Sequence, residues 1–147
     1  GQYDVAASPL QMAMVAAGIA NDGVLMEPYL TKSVRAANLQ TVWTHKDTPM
    51  STPMTRESAK QLQQMMVSVV NNGTGRNARI DGVTVGGKTG TAQTSPDKPP
   101  YAWFVGWSDK PKVAVAVFVE SSNTERSEIA GGRLGAPIAR DVIEALR

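Results

Sequence analysis

Lys88, Thr89 and Thr91, spaced among Gly86, Gly87 and Gly90, put one cation, two hydroxyls and three glycines into eight consecutive residues, Gly86-Gly87-Lys88-Thr89-Gly90-Thr91-Ala92-Gln93. The β-branched run Val83-Thr84-Val85 leads into them, so the segment reads as a strand. Glycine weakens a strand interior, and several together imply that something approaches the backbone closely. An ammonium takes a carboxylate, hydroxyls fix its orientation, and bare backbone N–H groups serve a developing oxyanion. The chemistry this composition fits is capture of an anionic substrate along an open strand edge, with backbone N–H groups available to a developing oxyanion.

A nucleotide reading competes with it. Residues 82–89, Gly-Val-Thr-Val-Gly-Gly-Lys-Thr, satisfy the phosphate-loop pattern G-x-x-x-x-G-K-[ST]. That mechanism needs a helix starting at the lysine, with its N-terminus facing phosphate. Thr-Gly-Thr follows instead, then Ser95-Pro96 and Pro99-Pro100, which leave no room for a helix. Val-Thr-Val in the variable positions is strand chemistry. The bland alternative is an ordinary strand with a solvated lysine.

The elements that must position this strand are legible around it. Ser8, Pro9 and Gln11 form a helix start with a capping box, predicting a helix over 8–21. Leu10, Met12, Met14, Val15 and Ile19 with interleaved alanines leave almost no polar face, so this helix is expected to be buried with material on both sides, more than this chain obviously supplies. Asn21-Asp22-Gly23 ends it. Two short strands are predicted over 29–35 and 39–43, then a polar surface loop over 45–53. Thr55 caps a second helix through about residue 70, with Ala59, Leu62, Met65, Met66, Val69 and Val70 on one face as core. Strands follow over 83–94, 102–108 and 112–120, the last two close enough for a hairpin. Val113, Val115, Val117 and Val119 alternate with small residues. Residues 121–132 read as a polar loop, and Pro137 opens a last helix with Ile138, Val142, Ile143 and Leu146 inward. Trp103 and Phe104 are read as core. The loop over 73–79 is a candidate rim, with Arg76 and Arg79 as possible contacts.

Composition narrows the classes. The chain has 147 residues, 41% of them hydrophobic, enough for one domain or a piece of one. Its net charge is +2, without a basic run, which argues against a nucleic-acid partner. There is no cysteine, so disulfides and thiolate metal sites are excluded. The single histidine, His45, lies in a polar stretch and is read as a solvated loop residue. No signal peptide and no membrane-spanning run of apolar residues is present. The chain begins within a few residues of a helix, as if cut from something longer.

The glycine-lysine octapeptide resembles the Lys-Thr-Gly motif of penicillin-binding proteins and serine β-lactamases. Ser8-Pro9-Leu10-Gln11-Met12-Ala13, Ile19-Ala20-Asn21-Asp22-Gly23 and Pro28-Tyr29-Leu30 resemble the block upstream of that motif in large penicillin-binding proteins. Gly73-Thr74-Gly75 and Ala102-Trp103-Phe104-Val105-Gly106-Trp107 are similar to the same family, so the likeness runs in order over nearly the whole chain. Ala92-Gln93 is closer to the monofunctional, class B transpeptidases.

The resemblance implies an α/β penicillin-recognising fold: an antiparallel sheet flanked by helices, of which residues 1–147 form the C-terminal portion. It implies a D-Ala-D-Ala transpeptidase that cross-links peptidoglycan stem peptides through an acyl-serine and binds β-lactams, with no metal or organic cofactor. A β-lactam sensor or a carboxypeptidase are the alternatives. By the same likeness Lys88 supplies positive potential for the substrate carboxylate and polarises the serine of a Ser-x-Asn motif. Thr89 and Thr91 donate to that carboxylate, the Thr91 N–H forms half of an oxyanion hole, and Gly90 keeps the strand bare. The nucleophilic Ser-x-x-Lys and the Ser-x-Asn motif are expected on an upstream segment, the partner this chain needs. Ser95-Pro96-Asp97-Lys98 and Ser121-Ser122-Asn123 match the patterns but fall after the strand, in the wrong order. The parent protein is expected at the extracytoplasmic face of the bacterial membrane, anchored by an upstream helix, and the chain alone is expected to be inactive.

Overall fold

The computed structural model describes residues 5–93 and 97–147. Helix α1, Pro9–Ala20, starts as its sequence dictates: the Ser8 hydroxyl accepts from the Gln11 N–H, and the Gln11 side chain accepts from the Ser8 N–H at 2.7 Å. After it come β1 (Leu25–Met26), β2 (Ser33–Arg35), β3 (Thr41–Thr44) and β4 (Pro49–Ser51). These form two small antiparallel ribbons, β1 with β4 and β2 with β3. The predicted strands 29–35 and 39–43 are therefore present but shorter. The expected loop over 45–53 instead contains β4, whose partner β1 is too short to leave a periodic signal.

Helix α2, Arg56–Asn72, is capped by Thr55, whose hydroxyl accepts from the Ser58 N–H, and it ends at Gly73. Arg56 pairs with Asp22 at 3.0 Å, and the Gln63 amide donates to the Ile19 carbonyl at 2.7 Å. These contacts fasten α2 to the end of α1. Ala59, Met66 and Val70 of α2 are buried as the spacing predicts, whereas Met65 faces outward.

The centre is an antiparallel sheet in the order β5-β6-β7, with β5 at Val85–Ala92, β6 at Tyr101–Asp109 and β7 at Lys112–Val119. Residue 94, the end of the predicted first strand, lies outside the described residues, as do Ser95 and Pro96 of the Ser-x-x-Lys match. Directly opposed residues of an antiparallel pair share a face, so the register Thr89↔Phe104 and Lys88↔Val105 fixes which side each points to. On one face Val85, Phe104 and the partly buried Val113, Val115 and Val117 meet Val70, Ala78, Ile80 and helix α3, Ala136–Ala145, through Ala136, Ala139 and Ile143. On the other, Trp107 packs with Ile19 of α1 and Met66 of α2. Phe104 is fully buried at the middle of the larger cluster. Phe104→Ala is expected to cost about 3–5 kcal/mol, seen as a lowered midpoint in denaturant unfolding.

Two expectations are corrected here. Helix α3 turns only Ile143 of its four predicted core residues inward; Ile138, Val142 and Leu146 are exposed. The small residues Ala136 and Ala139 take the inner face, because the helix packs tightly over Phe104. The supposed loop over 121–132 contains a 3-10 turn, Arg126–Glu128, and the start of a π-helical turn, Gly131–Gly135, that runs into α3. Helix α1 is covered by this chain on one side only, which agrees with the expectation that it needs more material than the chain supplies: Ala16, Gly18 and Ile19 are buried, while Leu10 is 60% and Val15 48% exposed.

Candidate functional site

Strand β5 is at one end of its sheet, paired with β6 on one side. Its first three residues are buried and Lys88 and Thr91 are exposed, with Thr89 and Gly90 between. Helix α2 packs beside β5 and contributes to the clusters on both sheet faces. The edge is thus closed over Val85–Gly87 and open further along. The lysine lies in mid-strand, and the strand runs on to Ala92 where a phosphate loop would start its helix, which removes the phosphate-loop reading.

The glycines divide by role, which corrects the sequence expectation. A Cβ at Gly86 would lie 2.5 Å from the Trp107 ring, and one at Gly87 would lie 2.3 Å from the Phe104 ring. Those two residues are bare because core aromatics lie flat on the strand, not because a ligand does. Gly90 differs: a Cβ there would meet only the Trp103 Cβ, at 3.2 Å. Its openness serves no ring of the core.

Strand alternation sends Thr89 and Thr91 to the Phe104 face and Lys88 to the opposite one, so the three predicted site residues straddle the edge. The Lys88 ammonium donates to the Thr89 carbonyl at 2.5 Å. Thr89 and Thr91 line a cleft of about 480 Å³ with Thr74, Arg76, Asn77, Gly131, Gly132 and Arg133. The Thr74 and Thr89 hydroxyls are 2.7 Å apart, and the Asn77 amide donates to the Gly132 carbonyl at 2.8 Å. Arg133 is ion-paired with Glu128, and Arg76 Nε donates to the Gly73 carbonyl.

The wall opposite the threonines is Gly131-Gly132, which the sequence reading passed over as loop. A Cβ at Gly131 would sit 1.9 Å from the Trp103 carbonyl and within 2.9 Å of Gly90 N and O; one at Gly132 would sit 2.1 Å from the Thr74 carbonyl. Backbone rests on backbone here, and only glycine allows it. The signal was available: a Gly-Gly pair just before a helix, in a chain whose strand also carries glycines. Of the two candidate arginines, Arg76 lines this cleft, whereas Arg79 lies in a separate hollow with Asp81, Arg140 and Glu144. Ser121-Ser122-Asn123 follows β7 and is not among the cleft-lining residues.

His45 is not the solvated loop residue it resembled. Its ring stacks on Tyr29 with centroids 3.7 Å apart, meets Trp43 edge-on, and is only 14% exposed. It lines a different depression, formed by β3 and the segments beside it, with Glu27, Tyr29 and Trp43.

Comparison with known proteins gives the family. The profile of the penicillin binding protein transpeptidase domain matches residues 1–144. The chain belongs to the penicillin-binding-protein transpeptidase family. It is similar to the peptidoglycan D,D-transpeptidase PbpA of Mycolicibacterium smegmatis, 41% identical over 99% of this chain. It spans 30% of that relative's length. The crystal structure of PBPA from Mycobacterium tuberculosis superposes with a TM-score of 0.88 at 38% identity, covering 100% of this chain and 36% of that one. An imipenem acyl-enzyme complex of penicillin-binding protein A from the same organism gives 0.85, again at 38% identity, over 100% of this chain and 32% of that one. The mixed α/β architecture with an antiparallel sheet is therefore that of the penicillin-binding transpeptidases, as the resemblance implied.

Proposed function

We propose that this chain is the C-terminal part of a peptidoglycan D-Ala-D-Ala transpeptidase domain, supplying the carboxylate-binding strand and half of the oxyanion hole. The observation that carries this reading is the open half of β5, where Lys88 faces one side, Thr89 and Thr91 the other, and Gly90 is bare. A peptide ending in a carboxylate can be laid along such an edge as an added strand. Thr89 and Thr91 then donate to the carboxylate, and Lys88 provides the positive field on the opposite side. The Thr91 N–H stabilises the oxyanion as the acyl bond to serine forms and breaks.

The nucleophile and its base lie on a preceding segment carrying Ser-x-x-Lys and Ser-x-Asn. The exposed Leu10 and Val15 on the outer side of α1 are consistent with more protein packing there. The relative solved as an imipenem acyl-enzyme supports β-lactams as covalent ligands of the whole domain. The protein works outside the cytoplasmic membrane, where its substrate is; among the described residues no helix is long and apolar enough to cross a membrane.

Fluorescent penicillin tests the division of labour. The full-length protein is expected to be labelled stoichiometrically and residues 1–147 alone not at all. Labelling of the isolated chain would show that it holds its own nucleophile and overturn the assignment. Cross-linked product from stem peptides, rather than free D-alanine alone, separates a transpeptidase from a carboxypeptidase, and turnover of peptide separates both from a sensor.

A further inference from the structure

We infer that Thr74 is a positioning residue for carboxylate capture: its hydroxyl donates to a lone pair of Thr89 and so turns the single Thr89 proton towards the substrate. The inference rests on the functional reading above. Each threonine hydroxyl has one proton and two lone pairs. At 2.7 Å one of the Thr74–Thr89 pair must donate and the other accept. If Thr89 donated to Thr74, it would present only a lone pair to a carboxylate, which repels it. With a carboxylate in the cleft, the orientation that satisfies every oxygen is Thr74 to Thr89 to ligand. A donor chain of this kind strengthens its last bond, since each hydroxyl polarises the next.

The surroundings fix Thr74 for this task. It lies between Gly73, where α2 ends, and Gly75, whose N–H bonds to the Val69 carbonyl. Its own carbonyl is packed against Gly132, so closely that no side chain fits between them. Gly132 is in turn held by the Asn77 amide. The backbone of Thr74 is therefore clamped from two sides while its hydroxyl points at Thr89 in the open cleft. The cleft's two arginines are partly committed elsewhere, Arg133 to Glu128 and Arg76 to the Gly73 carbonyl. Hydroxyl donation therefore has more of the anion to satisfy.

The test compares Thr74→Val and Thr74→Ser with wild type in the full-length protein, using penicillin G and its methyl ester as acylating probes. The second-order acylation constant of Thr74→Val is expected to fall about fivefold for penicillin G, the scale of the one neutral hydrogen bond that orients Thr89. It should change less than about twofold for the ester, which carries no anion. Thr74→Ser, which restores the hydroxyl, should recover the penicillin G rate. Equal losses with both probes, or no loss with either, would overturn the inference. A wild-type protein acylated by neither probe would instead defeat the functional reading beneath it.

Discussion

Lys88→Ala in the full-length protein is expected to slow acylation by penicillin at least about a hundredfold while leaving the fold intact. The two halves of that result have separate origins. Lys88 is exposed, and the one bond described for its ammonium goes to the carbonyl of the next residue. Removing it empties no core and strands no buried group, so stability should stay within about 0.5 kcal/mol of wild type. The functional loss arises because a carboxylate held at the edge by two hydroxyls would lose its countercharge. In the complete domain, with the upstream segment and the ligand covering this edge, the charges are desolvated, and deleting one partner of such a pair costs about 2–5 kcal/mol. Thermal unfolding and acylation rates, measured on the same preparation, check both halves. Normal acylation would remove Lys88 from the site, and a collapsed fold would mean the lysine is structural.

Gly131→Ala and Gly90→Ala should part company in the opposite sense. A methyl at Gly131 is driven into the Trp103 carbonyl at 1.9 Å and against Gly90 N and O. These are backbone atoms of two paired strands, which cannot turn aside as a flexible side chain would. The cost should reach about 3 kcal/mol, the upper end of overpacking penalties, and lower the melting temperature by about 10 °C. Acylation should fail as well, because the strand edge must shift. Gly90→Ala meets only one Cβ, at 3.2 Å, so it should unfold within about 1 kcal/mol of wild type. Its methyl stands on the Lys88 face of the open edge, beside the backbone along which the substrate is expected to lie, and acylation should drop with the fold preserved. If both variants were equally unstable, Gly90 would be a packing glycine like Gly86 and Gly87.

The sequence was most readable where local chemistry decides the structure. The capping box at Ser8 and Gln11, the Thr55 cap and the β-branched alternation of β7 each specify their element without help from distant residues. The proposed binding residues Lys88, Thr89 and Thr91 stood out because a charge and hydroxyls among strand glycines have few structural uses. What stayed hidden depends on contacts far apart in sequence. Whether a strand glycine accommodates a ring or a ligand is settled by what lies over it, so Gly86 and Gly87 could not be told from Gly90 in advance. Helix α3 reads as amphipathic on Ile138, Val142 and Leu146, yet close approach to Phe104 selects its alanine side. His45 looked polar and solvated because its neighbours in sequence are; Tyr29, which stacks on it, is distant along the chain. Thr74 and Gly131-Gly132 form the far wall of the cleft only through long-range packing.

The most direct measurement is a crystal structure of the full-length protein acylated by penicillin G. The ligand carboxylate is expected within about 2.6–3.2 Å of both the Thr89 and Thr91 hydroxyls, with the acyl carbonyl oxygen at the Thr91 N–H. The body of the ligand should pass over Gly90. A carboxylate turned to solvent, or bound away from the open half of β5, would contradict the assignment of this strand as the anion-binding wall.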